Sequence, residues 1–192
     1  MIILMGVAGA GKSMQGRLFA DEHGYAWVST GELFRVLVTG KRRQEMLAGK
    51  LLSDDEVIEL VDKTLNLIDV SQEFVLDGFP RTTGQADWLL GQVHGGRLHL
   101  TAVFNLVATP TIVKRRLLKR GRQDDTEEAI AKRFVEYEKM TMPIVKYIRK
   151  EGAPVYDIDA NKDPITVHDQ IMCYIDKRED CSGKHTNRTS EE

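Results

Sequence analysis

The chain of 192 residues predicts an α/β fold: a doubly wound, five-stranded parallel sheet with helices on both faces. Two observations carry that prediction. Near its start a short apolar run, Ile2, Ile3, Leu4 and Met5, breaks into Gly6-Val7-Ala8-Gly9-Ala10-Gly11-Lys12-Ser13 and then into a helical pattern that includes Leu18 and Phe19. Further on, short apolar runs alternate with segments whose apolar residues recur at helical spacing, which is how parallel strands joined by crossover helices read in sequence. At this length one hydrophobic core is the default, with room for small inserted subdomains and not for a second large domain.

The first strand runs into the spacing G-x-x-x-x-G-K-S, where glycines at 6, 9 and 11 let backbone N–H groups turn inward around phosphate oxygens. A helix over 12–22 follows, and its free N–H groups and dipole favour an anion. Lys12 reaches the β- and γ-phosphates of a nucleotide, and the Ser13 hydroxyl stands where a Mg²⁺ ligand is needed, so the fold class narrows to a P-loop NTPase. Tyr25 to Val28 reads as the second strand, followed by a helix over 30–38. Residues 53–68 read as a helix because Ser53 is an N-cap candidate with Glu56 three positions on, and Val57, Ile58, Leu60, Val61, Leu65 and Ile68 hold helical spacing. Phe74 to Leu76, Leu100 to Leu106 and Val155 to Ile158 read as the remaining strands. Helices are expected over 83–93, 110–120, 125–150 and 164–178, with Pro143 kinking or dividing the longest. Glu179 to Glu192 holds almost nothing apolar and is expected to be a disordered tail.

A net charge of −2 supplies no global electrostatic reason to bind nucleic acid or an anionic membrane. No leader pattern and no apolar run near the ~20 residues of a membrane span is present, so a cytoplasmic protein without nucleic-acid or membrane partners is expected. Cys173 and Cys181 are too few for a disulfide framework or a four-cysteine zinc site. Both are expected to be free thiols, Cys173 in the core. Asn187-Arg188-Thr189 matches a glycosylation sequon by accident on this reading, and Trp27, Trp88 and the five histidines, with no motif around them, are read as packing or surface residues.

Ligands of doubly wound sheets bind at the carboxyl ends of the strands, and three further segments fall there. Val28-Ser29-Thr30-Gly31-Glu32-Leu33-Phe34-Arg35 leaves a strand, turns and starts a helix bearing a cation. Asp77-Gly78-Phe79-Pro80-Arg81-Thr82, with Gln85 after it, places Asp77 at a strand end from which a carboxylate can hold Mg²⁺ through water, although D-G alone is also a common turn. Arg116, Arg120, Arg122 and Arg133 form an arginine set in which the first two share a helix face; taken alone, that stretch also reads as a solvated basic face or an RNA-contacting patch.

These segments, in this order, resemble the adenylate kinase family of nucleoside monophosphate kinases through about residue 175. The family pattern S-T-G-[DE]-x-x-R reads STGELFR from Ser29; D-G-[FY]-P-R reads DGFPR from Asp77; the arginine-rich helix reads RRLLKRGR from Arg115; and the D-D pair falls at Asp124 and Asp125. The resemblance implies a single kinase domain over 1–178, with a small helical monophosphate-binding insertion near 29–58, a minimal lid near 121–124, and a tail over 179–192. It implies Mg²⁺-dependent, reversible transfer of the ATP γ-phosphoryl group to AMP, giving two ADP. Gly9, Ala10, Gly11, Lys12, Ser13, Met14, Arg116, Arg120, Asn161 and Lys162 would then hold ATP, with Arg116 stacked on the adenine and backbone near Asn161 and Lys162 closing the other side. Thr30, Gly31, Arg35, Lys50, Leu51, Leu52, Gly78, Phe79, Pro80, Arg81, Gln85, Arg122 and Arg133 would hold AMP, and Ser13 and Asp77 the Mg²⁺. Lys12, Arg81, Arg120, Arg122 and Arg133 would be the catalytic cations. That agrees with the bare chemistry, because phosphoryl transfer asks for positioning and positive charge and for little covalent work.

Within the family Thr30 and Gln85 accompany AMP, whereas pyrimidine monophosphate kinases tend to show Ala and Asn there; a glutamine amide pairs as donor and acceptor with an adenine edge. Two departures stand out. Ser13-Met14 replaces the family's Gly-Thr, and only Gly121, Arg122 and Gln123 separate Arg120 from Asp124 where longer lids are inserted. So short a lid implies either leakage of phosphoryl groups to water or a second subunit over the opening, and a monomer is expected with an oligomer left open. The rival readings are a kinase for CMP, UMP or dAMP, and a P-loop ATP-binding or ATPase switch module that has lost transfer.

Overall fold

The computed structural model describes residues 1–40, 52–122 and 125–177. Five strands form one sheet in the order β2-β3-β1-β4-β5, every neighbouring pair parallel. They are β1 (Ile2–Gly6), β2 (Ala26–Ser29), β3 (Phe74–Asp77), β4 (Ala102–Val107) and β5 (Val155–Asp159). Between them run α1 (Lys12–His23), α2 (Thr30–Leu37), α3 (Asp54–Leu65), α4 (Thr83–His94), α5 (Pro110–Arg120), α6 (Glu127–Glu136) and α7 (Met142–Lys150), and α8 (Pro164–Ile175) follows β5. The doubly wound, five-stranded α/β sheet read from the sequence is the observed fold.

Alternation along the strands sorts the core into two layers. Ile3, Met5, Phe74, Leu76 and Val103 pack on Val57, Val61 and Leu65 of α3, Ala86 and Leu89 of α4, and Ile144, Val145 and Ile148 of α7. Ile2, Leu4, Val75, Phe104 and Leu106 pack on Phe19 of α1, Val113 and Leu117 of α5, Ile130 of α6, and Val167 and Ile171 of α8. The central strands are therefore apolar on both faces, which is why they read as continuous apolar runs. Among the described residues no helix is long and apolar enough to cross a membrane.

The helix expected over 53–68 ends at Leu65, where Asn66 donates its N–H to the Asp62 carbonyl; Ile68 still packs on the core from the turn beyond and so mimics another helical position. The helix expected over 125–150 is divided, although not at Pro143. A π turn, Tyr137–Thr141, joins α6 to α7, and Pro143 sits in the first turn of α7. Proline lacks an N–H and its ring collides with the carbonyl four residues back, and the widened turn just before it relieves both. The expected free thiol at Cys173 is corrected as well: Cys173 is buried near the end of α8 and disulfide-bonded. Cys181, the expected tail over 179–192, Lys50 and Leu51, and Gln123 and Asp124 of the expected lid lie outside the described residues.

Candidate active site

The loop after β1 closes through a hydrogen bond from Ala10 N to the Val7 carbonyl (3.1 Å), and Met14 N and Gln15 N both return to the Gly11 carbonyl to open α1. Gly9 has φ of 89°, and a Cβ there would stand 2.8 Å from Leu117 Cγ, so only glycine lets the loop lie this close to α5. Lys12 folds back across the loop, its Nζ donating to the carbonyls of Gly6 (2.8 Å) and Val7 (3.0 Å). Its pKa is pushed down to about 8, chiefly by burial; Asp77 opposes that shift while Arg81 and Arg120 add to it. Ser13 points into the site and Met14 away from it, 49% exposed.

Strand order explains what faces this loop. β3 lies between β1 and β2, with Leu4 and Ser29 both in register with Asp77, so the end of β3 adjoins the phosphate loop on one side and the start of α2 on the other. Asp77 is 3% exposed, and its Oδ2 accepts from Ser13 Oγ (2.9 Å) and from Ser29 Oγ (3.1 Å). The next residue performs the same joining with its backbone. The Gly78 carbonyl accepts from Thr30 Oγ1 (3.0 Å) and from Arg81 Nε (2.8 Å). Gly78 has φ of 82°, and a Cβ there would sit 2.8 Å from Thr30 Oγ1 and 3.0 Å from Arg81 Nη2. Phe79 is buried against Trp88, and the Phe79–Pro80 peptide is cis.

Gln85, one turn into α4, is buried, with its amide already oriented: Oε1 accepts from Arg81 N (2.8 Å) and Nε2 donates to Asp54 Oδ1 (2.8 Å). Among the described residues, one lone pair and one N–H of the amide take no partner. Asp54 also accepts from Thr82 Oγ1 (2.7 Å), so this residue, which the sequence reading passed over, ties α3 to the segment bearing Arg81 and Gln85. Leu52 packs against the core beside α3, and Gly31 lies under the Arg35 guanidinium, where a Cβ would be 3.5 Å from Nη2.

Two carboxylates hold Arg35, Arg120, Arg122 and Arg133. Glu32 takes Arg35 Nε (3.2 Å) and Arg122 Nη2 (3.3 Å), and the hydrogen bond from Arg35 does most to hold its carboxyl below the usual range, against its burial. Asp125, buried, takes Arg120 through both oxygens (2.8 and 2.6 Å), Arg133 Nη1 (3.0 Å) and the backbone N–H of Arg122 (3.2 Å). Burial alone would raise its pKa, but these charge-assisted bonds overcome that and bring it down to about 2. Arg116 is separate from that cluster. Its Nη1 donates to the carbonyls of Ala10 (3.3 Å) and Ala160 (2.7 Å), and its Nη2 to that of Lys162 (2.7 Å), which fixes a flat cation between the phosphate loop and the turn after β5. Asn161 closes that turn by accepting from Thr109 N (2.9 Å).

The structure thus gathers Lys12, Ser13, Thr30, Asp77, Gly78, Arg81 and Gln85 at one end of the sheet, with Arg120, Arg122 and Arg133 assembled on Asp125 beside them. Glu32, Asp54 and Asp125 are what sequence reasoning left without a role. Glu32 and Asp125 fall inside the quoted motifs, a signal of sorts; Asp54 pairs across 31 positions and leaves no local trace. Cations around an anion loop, with no acid or base needed, can hold two phosphate chains end to end.

A family model described as adenylate kinase matches residues 4–153. The chain is 35% identical over 182 residues to an adenylate kinase of Corynebacterium urealyticum, covering 92% of this chain and 99% of that protein. It is 36% identical over 178 residues to one of Oenococcus oeni, covering 88% and 94%. It is also 36% identical over 190 residues to one of Brucella ovis, covering 86% and 98%.

Proposed function

The chain belongs to the adenylate kinase family, and on that premise we propose that its two phosphate-binding clusters carry out reversible transfer of the ATP γ-phosphoryl group to AMP, giving two ADP. It is an enzyme, a nucleoside monophosphate kinase acting on small nucleotides. The observation that carries the finer reading is the joint at Asp77 and Gly78, where one side chain takes Ser13 from the donor loop and Ser29 from the opposite segment, and one carbonyl takes Thr30 and Arg81. A switch that only holds ATP has no use for that second half.

In this reading Lys12, with Gly9, Ala10, Gly11 and Ser13, grips the donor phosphates, and Arg116 offers its flat face to the donor base. Arg35 and Arg81 hold the acceptor phosphate. Arg120, Arg122 and Arg133 surround the group in transit, and an acceptor phosphate oxygen, already anionic, attacks without a base. Binding of phosphates exchanges Glu32 and Asp125 for stronger anionic partners. Thr30 and Gln85 select adenine, because a base that leaves the Gln85 amide unpaired costs about 1–3 kcal/mol. The oxygens of Ser13 and Asp77 are hard donors that suit Mg²⁺, bound largely through its water. When present, Mg²⁺ shares the negative charge of the donor phosphates.

A coupled assay of ADP formation with AMP, CMP, UMP and dAMP as acceptors tests this. AMP is expected to be the fastest acceptor, with little ADP formed in its absence. CMP or UMP outrunning AMP removes the role given to Thr30 and Gln85, and ADP release at an equal rate without any acceptor sinks the transfer reading.

A further inference from the structure

A second set of ligating side chains lies where α1 and α8 pack together. Glu22 and His23 close α1, and His168 stands one turn into α8. The His168 side chain is only 4% exposed, its ring edge-on to Phe19 with centroids 4.8 Å apart. Its two nitrogens have different surroundings. Gln15 Nε2 donates to the Pro164 carbonyl (2.8 Å), which turns Gln15 Oε1 toward His168 Nδ1 at 2.9 Å. An amide oxygen only accepts, so the ring proton belongs on Nδ1 and Nε2 is left as a bare lone pair.

That nitrogen is buried with no hydrogen-bond partner among the described residues, and it faces the Glu22 carboxylate, whose Oε2 is 3.4 Å away. A lone pair aimed at a carboxylate is repulsive, and a cation between them reverses the sign. The His23 ring stacks beside that of His168 with centroids 6.2 Å apart, and one ligand atom from each of Glu22, His23 and His168 lies within 4.8 Å of the others. Metal–ligand bonds of about 2.0–2.1 Å in a tetrahedron set the ligand atoms about 3.3–3.4 Å apart. The separation of His168 Nε2 from Glu22 Oε2 already has that value.

We propose that Glu22, His23 and His168 form a binding site for a divalent transition-metal ion, zinc by preference, with Gln15 as the residue that orients His168. Two imidazoles and one carboxylate select zinc over Mg²⁺, whose ligands are oxygens. The Gln15 contact is the kind of outer hydrogen bond that fixes tautomer and ring plane in histidine metal sites. Glu22 and His23 are exposed, so the ion has a path in and a water can complete its coordination. Such an ion clasps the end of α1, the helix whose first turn bears Lys12 and Ser13, to α8.

The test is titration of the full chain, stripped with a chelator, by Zn²⁺ in competition with a chromophoric chelator, alongside thermal melts. One zinc per chain is expected, bound roughly tenfold or more tightly than in His23→Ala or Glu22→Gln, with a rise of several degrees in the Tm of the parent chain and little in the variants. Both substitutions fall on exposed side chains outside the nucleotide site, so unchanged transfer activity certifies their fold. Equal zinc affinity in parent and variants places any bound ion elsewhere and overturns the site, as does the absence of binding.

Discussion

Lys12 sets the first expectation, because burial in its loop resists a charge that, on the proposed reading, bound phosphates would favour. Burial brings it down to about 8 in the free protein, so near pH 8 about half the molecules carry it neutral. A bound triphosphate favours the ammonium, which raises the pKa again, and the missing protons must be drawn from solution. At pH 8 the calorimetric heat of ATP binding should depend on the buffer's ionisation enthalpy, reporting uptake of about half a proton, and near pH 6.5 that dependence should vanish. Lys12→Ala should abolish it and reduce turnover by about 10²–10³-fold while leaving the fold intact; a buffer-independent heat at pH 8 would remove Lys12 from the phosphate. Asp125 works in the opposite direction. Its folded pKa, about 2, lies below the unfolded value, so its contribution is fully present above about pH 4 and lost as the pH falls toward 2. By linkage that contribution is about 2 kcal/mol. Denaturant titrations of Asp125→Asn at pH 5 and pH 3 should show an acid loss smaller than the parent's by about 1 kcal/mol, the rest of the contribution being lost only below pH 3. An equal loss would mean that Arg120 and Arg133 do not hold the carboxylate in solution.

At the scale of elements, α3 opens with a reciprocal cap: Ser53 Oγ accepts from Glu56 N (3.3 Å), and Glu56 Oε2 accepts from Ser53 N (2.8 Å). Ser53→Ala should cost about 1 kcal/mol, about 2–4 °C in Tm for a chain of this size. Because the neighbouring Asp54 steadies Gln85 and Thr82, fraying there should raise the KM for AMP more than the KM for ATP. Equal rises would show that the cap serves stability alone. This box was legible from sequence because both of its partners are local, as was the glycine-rich loop that turns from β1 into α1. What pairs at a distance was not. The Asp54–Gln85 bond joins separate helices, and the π turn before Pro143 changes the apolar period by less than a turn, so neither leaves a pattern that periodicity can detect. Helix ends were misjudged where a core residue beyond the cap, such as Ile68, kept the helical phase by accident.

The whole molecule is arranged around one choice of strand order. With β3 inserted between β1 and β2, the carboxyl end of the sheet presents the loop after β1, Asp77 and the Thr30 segment side by side, and the two core layers hold these strands from both faces. If the clusters are two halves of one site, a single ligand carrying both nucleotides should bind far better than either alone, since the second half docks at an effective concentration set by the joining phosphates. A dinucleoside polyphosphate of two adenosines should therefore raise the Tm by more than ATP and AMP supplied together at the same concentration, with a gain in affinity on the order of 10²–10⁴ over ATP. Arg81 lies between the halves, bonded to the Gly78 carbonyl and holding Gln85 through its backbone N–H. In Arg81→Ala the bisubstrate ligand should retain the donor half of its affinity and fall back toward the shift seen with ATP alone. A joined ligand that stabilises the parent chain no more than ATP would separate the two clusters and leave the donor loop without an acceptor partner.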